Sequence, residues 1–294
     1  MKPKIVVILG PTAVGKSALA MGVAAALDGE IVNADSQQVY RYMDIGTGKP
    51  SSAERERVRH HLIDVVNPDQ EFNAAMFRHL ASEAVYQIDA RKRSAIVCGG
   101  TGLYLKALTR GLFEGPAQDS EFRRSLQKEI EETGLPAVYR RLVELDPTVV
   151  STIHPNDRLR TIRALEVYHL TGKPISQWQK EHRFQEQPFE TLKIGLNCER
   201  AELYERINRR SAAMVEAGFL DEVRGLAARG YSLDLKPLRS VGYAQMAKVV
   251  RGMLTLDAAL EEMTQETRHL AKRQLTWFRG DKEVRWFHPK QAAE

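Results

Sequence analysis

Short apolar runs alternate with amphipathic stretches along the first hundred residues, and the alternation predicts strands and helices taken in turn. Residues 5–9 (IVVIL) are a continuous apolar run of strand length. A glycine-rich turn follows, then the stretch ALAMGVAAAL to Leu27, which reads as an apolar helix. Residues 30–33 make a second short strand, 60–66 (HHLIDVV) an extended segment, and 94–98 (SAIVC) a further buried-type strand. Between them QQVYRYM after Ser36 reads as a helical turn, and Asn73 opens a helix over 73–90 with Met76, Leu80 and Ala84 on one face. The run LYLKAL after Gly102 starts another helix.

The pattern changes near residue 113. From there to 188 strand signals vanish and helix signals take over. Asp119 or Ser120 opens a helix with Phe122, Leu126 and Ile130 four apart, ending at Gly134. Another runs from near Asp157 to Leu170 and stops at Gly172, with Pro174 beyond. A strand pattern resumes over 192–197. A long helix pattern over 201–229 breaks near Gly218, 238–245 (LRSVGYAQ) reads as a polar turn, a helix spans 257–279 up to Gly280, and 284–287 is a last strand. The expected fold is α/β, a P-loop NTPase-like parallel-sheet core with an inserted all-helical domain. The core takes residues 1–113 and 189–294, and the insertion 114–188.

The first turn carries chemistry. Gly10, Pro11, Thr12, Ala13, Val14, Gly15, Lys16 and Ser17 match G-x-x-x-x-G-K-[ST] between a strand and a helix. Glycines let the backbone curl with its N–H groups inward, and the following helix adds its positive end. Lys16 reaches the outer phosphates, and the Ser17 hydroxyl can bind Mg²⁺. The motif predicts a bound di- or triphosphate without saying which. Asp35 follows the second strand, so it is expected beside this loop, where open α/β sheets bind ligands; the plainer reading is a helix cap. Thr101, in GGTG at the end of the 94–98 strand, offers a small hydroxyl where many ATPases place a magnesium-binding Asp; the plainer reading is again a cap. Arg206 and Arg210 share a helix face, either as ion pairs with Glu202 or Glu205 or as a clamp on phosphates. The loop 45–50 (IGTGKP) is a flexible turn or a substrate lid with Lys49 in it. Arg158, Arg160 and Arg163 read as a solvated face. Arg268, Lys272, Arg273 and Arg279 beside Trp277 and Phe278 suit contact with nucleic acid.

Composition narrows the classes. Apolar (43%) and charged (28%) content is that of a soluble globular chain, and no apolar run approaches a membrane span. The net charge of +5 permits an anionic partner. Cys98 and Cys198 make no disulfide framework or metal spacing, and His60–His61 has no ligand partner, so a reducing cytoplasm is the expected home. The apolar run near the start ends in the phosphate loop and reads as no export signal.

The stretches GPTAVGKS, NADSQQVYRYMDIGTGKP, HHLIDVVNP, CGGTGLYLKAL, IHPNDRLRTIRALEVYHLTGKP, RSVGYAQ and LAKRQLTWFRG, in this order across nearly the whole chain, resemble the tRNA dimethylallyltransferases. The resemblance implies transfer of a dimethylallyl group from dimethylallyl diphosphate to N6 of the adenine 3′ of the anticodon. It implies Asp35 as general base and Thr101 as a substrate-contacting hydroxyl. It also implies tRNA contacts at Asp35, Ser36, Gln37 and Gln38, at Thr101 and Arg123, at Leu159, Arg160, Thr161, Ile162 and Arg163, at Val241, Gly242, Tyr243 and Gln245, and at Lys272, Arg273, Gln274 and Arg279. A monomer with Mg²⁺ as its only cofactor is the expected state. Three other readings share parts of the pattern: a small-molecule kinase using the same loop, an isopentenyltransferase acting on free AMP or ADP, and a non-catalytic RNA-binding protein.

Overall fold

Six parallel strands organise the first of two compact units. The computed structural model describes residues 2–113 and 115–291; residues 1, 114 and 292–294, which the expected domain ranges include, lie outside the described residues. Unit one comprises Met1–Thr109 and Gln187–Glu294, and unit two Arg110–Glu186.

In chain order, unit one begins with β1 (Lys4–Leu9), α1 (Lys16–Ala26), β2 (Gly29–Asn33), α2 (Ser52–Arg57), β3 (His60–His61), α3 (Ala74–Ala90), β4 (Ser94–Gly99) and α4 (Gly102–Arg110), the last ending at the unit boundary. Unit two contains α5 (Ser120–Thr133), α6 (Leu135–Leu145), α7 (Arg158–Thr171) and α8 (Ile175–His182). Unit one resumes with β5 (Glu190–Leu196), α9 (Arg200–Glu216), α10 (Phe219–Ala228), α11 (Tyr243–Val250), α12 (Leu256–Arg279) and β6 (Arg285–Phe287). Strand order is β3-β2-β4-β1-β5-β6, with every pairing parallel. Both faces of such a sheet are covered by helices, so its central strands read as unbroken apolar runs. β1 pairs Ile5 to Leu9 with Ala95 to Gly99 on one side and with β5 on the other. Ile8, Ala20, Met21, Ala24, Ile31 and Ile96 bury the apolar side of α1 against one face. The larger core lies on the other, around Val7, Val97, Phe77, Ile88 and Tyr104.

Several local expectations change. The buried face of α3 is Phe77, Ala81, Ala84, Val85 and Ile88, whereas Met76 is exposed; counting the helical period from Phe77 recovers it. Residues 37–48 form turns rather than helix, with Tyr42 in the left-handed region at φ 65. The extended 60–66 segment is a strand only at His60–His61, because Leu62 (φ 61) and Asp64 (φ 57) turn the chain. LRSVGYAQ is partly helical, since α11 starts at Tyr243.

His60 and His61 are structural. His61 Nε2 lies 2.6 Å from Glu30, a carboxylate only 1% exposed, which also accepts from Arg91 at 2.8 Å. In unit two, Leu126, Val138, Leu142, Ile162 and Leu165 form the core. There the fully buried Glu166 accepts from Arg123 Nε (2.7 Å), Arg163 and the Asp119 N–H (2.8 Å).

Candidate active site

The glycine loop between β1 and α1 sits at the carboxyl edge of the sheet, where β1 lies between β4 and β5. Gly10, Ala13 and Gly15 have φ of 146, 64 and 107, positive values of the kind with which a loop can gather successive amides around an anion. Lys16 Nζ donates to the Pro11 carbonyl at 2.6 Å. Burial pushes its ammonium down to about 8; the Cys98 and Asp35 side chains oppose this, and the Arg210 charge adds to it. A cationic group so easily discharged is stabilised by an arriving anion. The buried Cys98 thiol is pushed up to about 11 and stays neutral.

Asp35 emerges from β2 on a tethered turn. Ala34 N–H donates to Cys98 O (2.8 Å), Thr101 N–H to Ala34 O (3.3 Å), and Ser36 N–H to Thr101 Oγ1 (3.0 Å). Asp35 Oδ1 accepts the Gln37 N–H at 2.8 Å. The carboxylate thus closes its own turn and still lines a cavity of about 240 Å³. Thr12, Lys16, Ser17, Gln37, Gln38, Gly99, Gly100 and Arg210 line the same cavity, with Met214, Ile207, Met263 and Leu270 supplying apolar wall. Burial lowers Arg210 from its ordinary value while Asp35 works to raise it. Gln37 Oε1 is buried there without a hydrogen-bond partner.

Other expected site residues have structural occupations. The Thr12 N–H donates to Gln274 Oε1 (2.8 Å) and Gln274 Nε2 to Gly100 O (3.0 Å), so this side chain ties the phosphate loop to the end of β4. One loop amide is therefore already used, and both ends of the Gln274 amide are engaged, although the residue still lines the cavity. Pro11 has no N–H, and Val14 is fully buried while its carbonyl accepts from Arg206. Arg206 pairs with Glu202 at 2.8 Å, so of the two arginines only Arg210 faces the cavity. Thr101 is not in the cavity wall; its Oγ1 holds the Asp35 turn, while its carbonyl accepts the Tyr104 and Leu105 N–H groups at the start of α4. Lys49 lines the cavity too, with its amine paired to Asp44 and Asp64, each at 2.7 Å.

Burial also revises the RNA-contact set. Thr161 and Ile162 lie inside unit two, and Arg123 and Arg163 are engaged by Glu166. Tyr243 is 1% exposed with its hydroxyl on Glu222, and Gln245 is buried with Oε1 on the Gly242 N–H. Val241, Gly242 and Tyr243 reach the cavity wall. Leu159 (80% exposed), Arg158, Arg160, Lys272, Arg273 and Arg279 stand in solvent. Sequence reasoning missed Glu222 and the tie made by Gln274; a lone acidic or amide residue on a helix gives no signal of a partner far along the chain.

A family model described as IPP transferase matches residues 38–281. The chain belongs to this family. Among curated members, it is 53% identical to the tRNA dimethylallyltransferase of Syntrophobacter fumaroxidans, over 96% of this chain and 83% of that one. It is 50% identical to tRNA dimethylallyltransferase 2 of Syntrophus aciditrophicus, over 98% and 93%. Among solved members, a tRNA isopentenylpyrophosphate transferase from Bacillus halodurans is 39% identical with a TM-score of 0.73, covering 99% of this chain and 94% of that one. A eukaryotic dimethylallyltransferase acting on tRNA is 29% identical with a TM-score of 0.79, covering 97% and 74%. Among the described residues, no helix is long and apolar enough to cross a membrane.

Proposed function

We propose that this chain is a tRNA dimethylallyltransferase in which the phosphate loop grips dimethylallyl diphosphate and Asp35 deprotonates the acceptor amine. The observation that carries the reading is the shared cavity: Thr12, Lys16 and Ser17 of the phosphate loop line the same space as Arg210 and the Asp35 carboxylate. The exocyclic N6 of adenine is a weak nucleophile because its lone pair is delocalised into the ring. As the new N6–C1 bond forms, the C1–O bond to diphosphate breaks and N6 loses a proton. Asp35 takes that proton, a contribution of about 10²–10⁴-fold. Lys16, Arg210 and the amides from Ala13 to Ser17 stabilise the charge growing on the departing diphosphate. The unpartnered Gln37 Oε1 suits the second N–H of the amine.

Mg²⁺ fits the donor set. The Ser17 side chain is exposed at the cavity, and among the described residues no cluster of three or more His, Cys, Asp or Glu forms a cage. Magnesium is commonly held by substrate phosphates, water and one or two protein oxygens. Ser17 would supply the protein oxygen, and the ion's charge would offset that of the diphosphate.

Free tRNA stacks its anticodon-loop bases, so the target adenine must be drawn out, at a cost of a few kcal/mol. The exposed Arg158, Leu159 and Arg160 on unit two, and Lys272, Arg273 and Arg279 on α12, are proposed to meet the RNA backbone and bases. The test is to offer labelled dimethylallyl diphosphate with unmodified tRNA and Mg²⁺, then locate the label. Label on N6 of the adenine 3′ of the anticodon supports the reading. Phosphorylated product from ATP without any prenyl donor supports a kinase, and label on free AMP but not tRNA moves the acceptor.

A further inference from the structure

Glu222 lies on α10 and lines no part of the cavity, yet it holds one wall of it. Its Oε2 accepts the Asp44 N–H (2.8 Å) and the Ile45 N–H (2.6 Å). Its Oε1 accepts the Gly46 N–H (3.2 Å) and the Tyr243 hydroxyl (2.6 Å). Three consecutive amides of the 44–48 loop are thus gathered by one carboxylate, 176 residues or more away in sequence. The loop is pressed close to this support: a Cβ at Gly46 would stand 2.1 Å from the Phe219 ring and 2.7 Å from the Tyr243 ring.

The free side of the loop faces the diphosphate end of the cavity. There the Thr47 carbonyl accepts from Gln38 Nε2 (3.2 Å) and from Arg210 Nη2 (3.4 Å). Thr47 is itself fixed, its hydroxyl donating to Met43 O at 2.6 Å. Gly48 stands so near the Arg210 guanidinium that an added Cβ would lie 2.3 Å from Nη2. Among the described residues no carboxylate forms an ion pair with Arg210; the loop carbonyl and the loop backbone set where its fork points.

We propose that Glu222 is the positioning residue for Arg210: it clamps the 44–48 loop so that the Thr47 carbonyl aims the guanidinium at the leaving diphosphate. The proposal rests on the transferase reading above and names the device that organises its anion site. A bidentate cation depends on orientation more than a lysine does, so loosening the loop weakens diphosphate binding without removing a positive charge from the anion site. Glu222 touches neither substrate nor reacting atoms.

The experiment measures inorganic diphosphate binding by titration calorimetry to the full chain and to Glu222→Gln, Arg210→Ala and the double variant. In Glu222→Gln an NH₂ replaces an acceptor oxygen and faces donors, so the clamp opens while size is kept. The expected loss for Glu222→Gln is about tenfold in Kd, the scale of one net hydrogen bond to a charged group. In the Arg210→Ala background the same change is expected to have no further effect. An equal loss in both backgrounds makes Glu222 a general structural residue and overturns the proposal, as does unchanged binding in the single variant. If the wild-type chain itself binds no diphosphate, the transferase reading fails with it. Tyr243→Phe is a milder arm for the case in which Glu222→Gln does not fold. It strips the hydroxyl that fixes Oε1, which also holds the Gly46 N–H, and so loosens the clamp without removing the carboxylate. A loss seen only when Arg210 is present supports the proposal, and a loss indifferent to Arg210, or none, contradicts it.

Discussion

Gly99→Ala tests whether the position of Asp35, and not only its presence, governs the rate. A Cβ on Gly99 would stand 2.2 Å from the Ala34 carbonyl oxygen, 2.4 Å from its carbonyl carbon and 2.8 Å from its Cα. Ordinary contact begins at 3.4 Å, so the two chains must part by about 1.2 Å. All three opposing atoms are backbone, and no rotamer change relieves them. Ala34 is the last residue before Asp35, and its bonds to Cys98 and Thr101 are the tethers of the turn. Moving a reacting group by about 1 Å costs about 10²-fold in rate, or roughly 2.7 kcal/mol of barrier. The assay is the single-turnover rate of label transfer to tRNA, with tRNA affinity measured alongside and a thermal melt showing that the variant is folded. A rate about a hundredfold lower with little change in tRNA affinity is expected. A folded variant that transfers at the wild-type rate refutes the reasoning.

Three further outcomes follow from the same geometry. Lys16 sits near 8 when the cavity holds no anion, so raising the pH through that value discharges it. Calorimetric affinity for diphosphate is then expected to fall with rising pH, by up to about tenfold per unit, and Lys16→Ala is expected to bind weakly and flatten this slope. Glu166→Gln leaves Arg123 and Arg163 facing a neutral group in a buried site, and is expected to cost about 3 kcal/mol in denaturant unfolding. Burial pushes the Glu166 carboxyl up, but hydrogen bonds from Arg123, Arg163 and the Asp119 N–H outweigh it and leave it below the ordinary 4.5. The native state therefore holds fewer protons near that pH, its stability is present above 4.5 and lost on acidification, and the gap between wild type and Glu166→Gln is expected to narrow as the pH falls. Arg160→Ala and Arg273→Ala, both exposed, are expected to weaken tRNA binding and reduce its salt dependence by about one charge each, as read by filter binding across a salt series, while diphosphate affinity stays unchanged.

The sheet and the phosphate loop were legible because they obey local rules. A parallel strand buried on both faces is a short apolar run, and β1, β2, β4 and β5 were all found that way. Asp119, Asp157 and Asn73 cap helices as their types suggest. Roles that depend on distant partners were not legible. Thr101 looked like a substrate hydroxyl or a helix cap, and its oxygen accepts from Ser36 because β2 and β4 happen to end side by side. Gln274, which the resemblance gave only as a tRNA contact, ties two loops. Lys49 read as part of a flexible turn or lid and Arg163 as part of a solvated face, and each answers a carboxylate that folding brings to it. Arg206 and Arg210 share a helix face, yet Glu202 engages one and leaves the other at the cavity; only the packed structure separates them.

The most direct measurement is the single-turnover rate of dimethylallyl transfer by Asp35→Ala, with dimethylallyl diphosphate and tRNA both saturating. If the carboxylate in the 240 Å³ cavity takes the N6 proton, the rate falls by about 10²–10⁴-fold while both substrates bind nearly as before. A variant that transfers at close to the wild-type rate contradicts the account.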